Sequence, residues 1–290
     1  MNRRLAIGTV QFGTRYGIAN NTGQTGRDEA ASILRAARNL GIDTLDTAVV
    51  YGESETVLGG IGIGDWRVVT KLPPVPENTT DVEHWVRQQV EASMGRLGIK
   101  QLYALLLHRP DQLHGAFGPA LLRGLRQQRA DGLAGKIGVS IYSPDELPPL
   151  LALADLDIVQ APLNVLDDRM ITSGWAARLS QSGVEFHARS AFLQGLLLMA
   201  KDERPERFQR WNYLWQDWQR ALAEQDATPL EACLRFALSH PEISRVVVGV
   251  DNLAQLREIV AAANGKPFVR PIWSGPVEPS LINPALWSKL

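Results

Sequence analysis

The feature that most restricts what this chain can fold into is a cycle: a short apolar run, a polar loop, then a longer amphipathic stretch, eight times over. Runs of four to eight apolar residues suit strands buried on both faces, and the 3.6-residue spacing between them suits helices packed on one side. The pattern predicts strands over Leu5–Thr9, Thr44–Thr47, Arg67–Lys71, Leu102–Leu107, Lys136–Ser140, Ile158–Gln160, Val184–Arg189 and Arg245–Gly249. It predicts helices over Arg27–Leu40, Glu53–Gly59, Thr80–Leu97, Phe117–Asp131, Pro144–Ala152, Met170–Gln181, Pro229–Ser239 and Leu253–Ala263. Cap chemistry agrees. Asp81 and Glu83 would meet the free amides of the third helix, and Gly98 follows its end. Ser143-Pro144 and Thr228-Pro229 each set a hydroxyl cap before a proline at the first helical position.

Eight alternations without a composition break or a Gly/Ser linker point to an α/β chain forming a single (β/α)8 TIM barrel across residues 1–290. A doubly wound dinucleotide-binding sheet is the alternative, and it needs a Gly-x-Gly-x-x-Gly turn after its first strand. The chain has none there: the cluster Gly59, Gly60, Gly62 and Gly64 is wrongly spaced and follows a helix, and Gly8 to Gly13 lacks a P-loop lysine. About forty residues separate the seventh strand from the seventh helix, where such loops usually take about 2–6. Within this extended loop, at about 191–228, Phe208, Trp211, Trp215 and Trp218 fall at helical spacing and predict an added helix with a buried aromatic stripe. A proline-rich tail, at about 267–290, should wrap the barrel.

Composition narrows the functions. Thirty Lys+Arg against 31 Asp+Glu give a net charge of −1, which offers no general attraction for nucleic acid or an anionic membrane. The single Cys233 can close no internal disulfide and suits packing in a reducing compartment; no apolar run approaches a membrane span or a signal core. A cytoplasmic protein without a bound metal is expected, with the Asn20 and Asn78 sequons occurring by chance. Oligomeric state is not legible.

In a parallel barrel the C-terminal strand ends converge on one rim. Asp46 ends the second strand, Tyr51 follows five residues on, Lys71 ends the third, and His108 follows the fourth. Each has an ordinary structural reading alone, as a turn cap, a packed ring, a solvated strand end or a hydrogen-bonded imidazole. Together they form a proton-donating set. A phenol with its usual pKa near ~10 is a weak donor at neutral pH, and an ammonium beside it stabilises the phenolate. Asp46 would hold Lys71 charged, and His108 would orient a substrate oxygen. Such a set suits protonating an alkoxide as hydride arrives.

The sequence also resembles the aldo-keto reductase family over nearly its whole length. The likeness runs through Gly8-Thr9-Val10-Gln11-Phe12-Gly13, Gly41 to Ala48, Tyr51-Gly52, Thr70-Lys71, the strand before His108, Gly135 to Ser140, Gln160 with Asn164, and Ser190 to Leu197. It implies a catalytic tetrad of Asp46, Tyr51, Lys71 and His108, with Tyr51 as general acid. It also implies a nicotinamide cofactor lying extended across the mouth, NADPH by expectation with NADH possible. Cofactor contacts are implied for Gly8, Thr9, Val10, Asp46, Ser140, Gln160, Arg189, Ser190, Phe192, Gln194, Gly195, Gly249, Asn252, Gln255 and Glu258, and substrate contacts for Phe12, Tyr16, Tyr51 and His108.

Three positions depart from the family pattern. Ile141 stands where the family has an Asn beside the serine, and Arg189 stands where it has a ring stacked on the nicotinamide. A planar guanidinium can stack as well, and its charge would favour the neutral reduced ring over the cationic oxidised one. A salt bridge or a pyrophosphate contact is the competing reading of Arg189. In the loop from Val248 to Gln255 the helix N-terminus suits a phosphate, yet Gln255 replaces a basic residue, with Asp251 nearby. An aldehyde, a ketone or a sugar would serve as small-molecule substrate. Two other functions fit the same rim: a Schiff-base aldolase using Lys71, and a cofactor-binding regulatory barrel.

Overall fold

Apolar runs of this length cannot satisfy their backbone alone, and each is followed by a helix long enough to return the chain to the same end, so the strands pair in parallel. The computed structural model describes residues 2–290; Met1 lies outside the described residues. Its strands are β1 (Leu5–Gly8), β2 (Thr44–Asp46), β3 (Arg67–Leu72), β4 (Ala104–Leu107), β5 (Ile137–Ser140), β6 (Ile158–Pro162), β7 (Glu185–Arg189) and β8 (Ile243–Gly249). They close in chain order, each beside the next and β8 beside β1, into an all-parallel (β/α)8 barrel. The helices are α1 (Val10–Gly13), α2 (Arg27–Asn39), α3 (Ser54–Ile61), α4 (Val82–Leu97), α5 (Gly118–Ala130) and α6 (Leu147–Leu153). They continue with α7 (Arg169–Thr172), α8 (Trp175–Gln181), α9 (Asn212–Glu224), α10 (Pro229–Ser239), α11 (Leu253–Ala262) and α12 (Pro279–Ile282).

Register decides which side chains share the rim. Gly8 pairs with Asp46 and Gly249, Lys71 with Leu106, and Ser140 with Gln160, so these residues stand near one level. Leu106 together with Val69, Ala104 and Ile158, which precede these positions on their strands, has no exposed surface, and the four fill the barrel as a core of their own. At the N-terminal end a polar layer closes it. Glu185 accepts from the Tyr103 hydroxyl at 2.6 Å, pairs with Lys136, and contacts buried His187 Nε2 at 3.2 Å. Burial opposes the Glu185 charge, but bonds from His187, Lys136 and Tyr103 outweigh it and hold the carboxyl below the usual range.

Several elements differ from the sequence reading: β8 starts two residues early, at Ile243, and the stretch from Pro144 opens with a 3-10 turn before α6. The helix expected over Met170–Gln181 breaks into α7 and α8, because Gly174 adopts φ +76, which no α-helix can continue. The fourth strand starts at Ala104, and Leu102 makes only an isolated bridge to Ala134. The caps follow sequence chemistry: Asp81 accepts from His84 N, Gly98 is left-handed, and Thr228 with Glu231 forms a capping box.

The long loop after β7 carries a 3-10 turn over Glu206–Trp211 and then α9. Phe208, Trp211, Trp215 and Trp218 are all buried. The indole N–H groups of Trp215 and Trp218 donate to Phe208 O at 3.0 Å and Leu197 O at 3.3 Å. The tail packs on this stripe, with Trp287 edge-on to Phe208 at 4.9 Å and Phe268 edge-on to Trp218 at 5.6 Å. Replacing Trp218 by Ala should therefore lower stability by about 3–5 kcal/mol, read from urea denaturation; a loss under about 1 kcal/mol would show the stripe to be peripheral.

Candidate active site

The rim residues converge on a cavity of about 550 Å³ at the C-terminal mouth. That volume lies in the range of small-molecule sites. Its floor is built around an ion pair. Lys71 Nζ lies 2.7 Å from Asp46 Oδ1, with both side chains almost wholly buried. The ammonium also donates to Thr47 O at 2.8 Å. Asp46 Oδ2 accepts from Gln160 Nε2 at 2.6 Å, and Gln160 Oε1 faces the Ser140 hydroxyl at 3.4 Å. Burial disfavours the Lys71 charge, but its interactions with Asp46 and Tyr51 together outweigh that and raise its pKa above the usual lysine value. A Schiff-base nucleophile needs a neutral, reachable amine, and Lys71 is charged and 1% exposed.

Tyr51 sits above this pair. Lys71 Nζ lies 5.1 Å from its ring centroid, and the imidazole of His108 meets the same ring edge-on at 5.9 Å. Burial, with Lys71 and Arg189 adding their positive fields, lowers His108 to about 4. At neutral pH the imidazole is therefore uncharged, able to donate or accept a hydrogen bond without adding charge.

Close backbone packing fixes Tyr51. A Cβ on Gly13 would fall 1.8 Å from Tyr51 O and 2.4 Å from Ser54 N; one on Gly52, whose φ is +57, would fall 2.4 Å from Gly13 O. Only glycines allow these two loops to touch. Behind them Glu55, at the start of α3, accepts from Thr70 and Ser93 hydroxyls at 2.7 and 2.6 Å and from Arg96 Nε at 2.8 Å. This buried carboxylate ties α3 to β3 and α4. Sequence reading misses Gly13, Gly52 and Glu55 as positioning residues; the adjacent Tyr51-Gly52 is the available signal.

The remaining expected residues divide into those on the cavity wall and those off it. Gly8, Thr9 and Val10 line it from the end of β1, with Ser140 and Gln160 from β5 and β6. Arg189, Ser190, Phe192, Gln194 and Gly195 line it from β7 and the loop beyond. Gly249, Gln255 and Glu258 line it from β8 and α11, and Tyr16 from the loop after α1. Phe12, expected against substrate, is fully buried in the hydrophobic core and reaches no cavity surface, because α1 turns its ring inward. Asn252 is likewise off the wall: its side chain caps α11 by accepting from Gln255 N at 2.9 Å. Lys71 lies beneath the wall, under the Tyr51 ring. Wall residues that the sequence reading does not select include Gln11, Asn20, Tyr142 and, from the tail, Pro284. Tyr142 is findable as the second residue past a strand end; Pro284 arrives from far along the chain with no local signal.

Arg189 stacks on Tyr142, its guanidinium carbon 4.4 Å from the ring centroid, and donates to Ile141 O at 2.9 Å and Ser190 Oγ at 3.3 Å. It pairs with no carboxylate among the described residues, and its buried Nε has no partner. The segment that follows is strained: Ser190, Leu193 and Gln194 all take positive φ. It packs on the loop after α1 through Ile18 N donating to Gln194 O at 3.2 Å.

The mouth of the parallel barrel thus gathers a charged lysine, a phenol and a neutral imidazole around one cavity of small-molecule size. The family model described as the aldo/keto reductase family matches residues 4–270, and the chain belongs to that family, an oxidoreductase family acting on small-molecule carbonyl compounds with nicotinamide cofactors. Aflatoxin B1 aldehyde reductase member 4 of Homo sapiens is 27% identical over 298 residues, covering 88% of this chain and 86% of the relative. D-threo-aldose 1-dehydrogenase of a Pseudomonas species is 28% identical, covering 88% of each. An aldo-keto reductase from Bacillus halodurans, solved in its holo form, shares the fold at a TM-score of 0.73 with 20% identity, covering 92% of this chain and 88% of that one. Among the described residues no helix is long and apolar enough to cross a membrane.

Two outcomes follow from this geometry. Asp46→Ala should leave a buried ammonium unpaired and cost about 3–5 kcal/mol of stability, and adding Lys71→Met should recover much of that loss in the same denaturation assay. His108 binds a proton more readily in the unfolded chain, whose pKa is near 6.5, than in the folded one at about 4. Stability should therefore fall as pH drops through that window, and the slope should shrink in His108→Gln.

Proposed function

We propose that this protein reduces a carbonyl group, of an aldehyde, a ketone or a sugar, to an alcohol by hydride transfer from a nicotinamide dinucleotide, with Tyr51 as the general acid. The observation that carries this reading is the buried Asp46–Lys71 pair at 2.7 Å set beneath Tyr51 and a neutral His108. The wall fits such a cofactor: a Ser140 hydroxyl and the Gln160 amide suit a carboxamide, and Arg189 Nε and Gln11 Oε1 are buried there without partners. When bound, the reduced nicotinamide supplies the hydride.

The chain's own residues do the rest. Tyr51 Oη gives its proton to the substrate oxygen as negative charge develops there. Lys71 stabilises the phenolate left behind, and Asp46 keeps Lys71 charged and fixed. His108, uncharged, orients the same oxygen by a hydrogen bond. Arg189 brings a positive charge to the catalytic end of the cavity, which favours the neutral reduced ring over the cationic oxidised one. We place the activity in the cytoplasm, where the lone Cys233, fully buried, stays reduced.

Tyr51→Phe should cut carbonyl-dependent oxidation of the reduced cofactor by about 10²–10⁴-fold, followed by absorbance with a panel of aldehydes, ketones and aldoses, and should leave cofactor binding intact. Tight cofactor binding with no turnover of any carbonyl would favour a regulatory barrel instead. Gly13→Ala, by shifting the Tyr51 loop about 1 Å, should lower kcat by about 10²-fold with little change in cofactor dissociation constant. Arg189→Met should narrow the preference for reduced over oxidised cofactor by about tenfold; an unchanged ratio in titrations of both forms removes that role.

A further inference from the structure

We propose that the far end of the cavity selects a dinucleotide whose adenosine ribose carries a free 2′-hydroxyl, NAD(H), and rejects the 2′-phosphorylated form. This rests on the preceding reading that the cavity takes a nicotinamide dinucleotide, and it turns against NADPH, the form the resemblance suggested. The reacting ring must lie by Tyr51, so the other half of an extended dinucleotide reaches the opposite end of the groove, walled by Gly249, Asp251, Gln255, Glu258 and Ile259.

That end presents acceptors and negative charge. Asp251 and Glu258 are carboxylates, and among the described residues the one cation on the cavity wall, Arg189, belongs to the catalytic end beside Tyr142. Burial pushes the Asp251 carboxyl up, and no cation offsets it: its neighbours are the Asn20 amide, 3.1 Å from Oδ1, and the Gln255 amide, 3.5 Å from Oδ2. Gln11 adds an independent sign of a ligand. Its side chain is 8% exposed and lies against Gly249, where a Cβ would fall 2.2 Å from Nε2. Its Oε1 is buried on the cavity wall without a partner, an acceptor waiting for a donor.

Three of the amides that would draw a phosphate to the start of α11 are already engaged. Leu253 N donates to Glu29 Oε1 at 2.6 Å, Gln255 N to Asn252 Oδ1 at 2.9 Å, and Asp251 N to Gln255 Oε1 at 2.7 Å. Glu29, reaching over from α2, holds with its own carboxylate a place where an anion would dock. A 2′-phosphate would thus be a further anion beside Glu29, Asp251 and Glu258, and among the described residues no cation lines that end of the wall; Arg15, off the wall, is engaged with Asn20 O at 3.2 Å. A 2′-hydroxyl meets the opposite situation. It is a donor facing carboxylate oxygens, and such charge-assisted bonds are strong.

Titration of the full-length protein with NADH and NADPH, read by tryptophan fluorescence and by calorimetry, tests this without recourse to turnover. NADH should bind roughly tenfold tighter or more, and added salt should narrow the gap by screening the 2′-phosphate from the carboxylates. Asp251→Asn combined with Glu258→Gln should narrow it too and remove its salt dependence. Glu258→Lys, at an exposed position, should move the preference towards NADPH even if the double variant folds poorly. Equal affinity, or tighter NADPH, overturns the selection and leaves the reductase reading standing. Failure to bind either dinucleotide brings down both.

Discussion

An ammonium and a carboxylate buried together beneath the mouth of the barrel set the terms for everything around them. Taking both charges out of water costs several kcal/mol each, and their attraction offsets this only where geometry is good and the remaining donors and lone pairs are used. The barrel meets that demand locally. Asp46 and Lys71 come from neighbouring strands whose register brings them to 2.7 Å, Thr47 O takes a second ammonium N–H, and Gln160 satisfies the other carboxylate oxygen. Gln160 consequently has two duties, completing the ion pair and facing the cavity beside Ser140, so changes on the cavity side of β6 propagate to the lysine.

Much of this is legible in the sequence because the barrel repeats a simple rule. Strand ends gather on one rim, so periodicity alone places Asp46, Lys71 and His108 there. Helical spacing likewise reads the aromatic stripe of the long loop as packing, and Phe208, Trp211, Trp215 and Trp218 are indeed buried together. Periodicity assigns a face, though, and does not name the partner across space. Phe12 stands near the end of β1, where a substrate contact is expected, but a single turn of helix there points it into the core. Asn252 caps α11 through a contact that spacing does not reveal, and the hold of Glu29 on Leu253 N joins residues 224 positions apart. The close approach of Gly13 to Tyr51 O is a backbone contact with no side-chain signature at all.

The cavity is graded electrically along its length. Its end beside Tyr51 carries Arg189 and, just below the surface, Lys71; its far end carries Asp251 and Glu258 with Glu29 behind. Neither end neutralises itself from within the wall, since Asp46 is committed to Lys71 and Arg189 pairs with no carboxylate among the described residues. A ligand spanning the groove is therefore read at both ends by charge as well as by shape, and the two ends can change separately because they sit on different loops.

The polar layer of Tyr103, Lys136, Glu185 and His187 shuts the barrel opposite the site, with Val69, Leu106 and Ile158 packed above it. With the opposite end occupied in this way, the phenol of Tyr51 faces water at the cavity mouth. In the proposed reaction, the mouth that admits a proton to restore Tyr51 is also the one by which the alcohol departs, so regeneration of the acid and clearance of the product are neighbours in space.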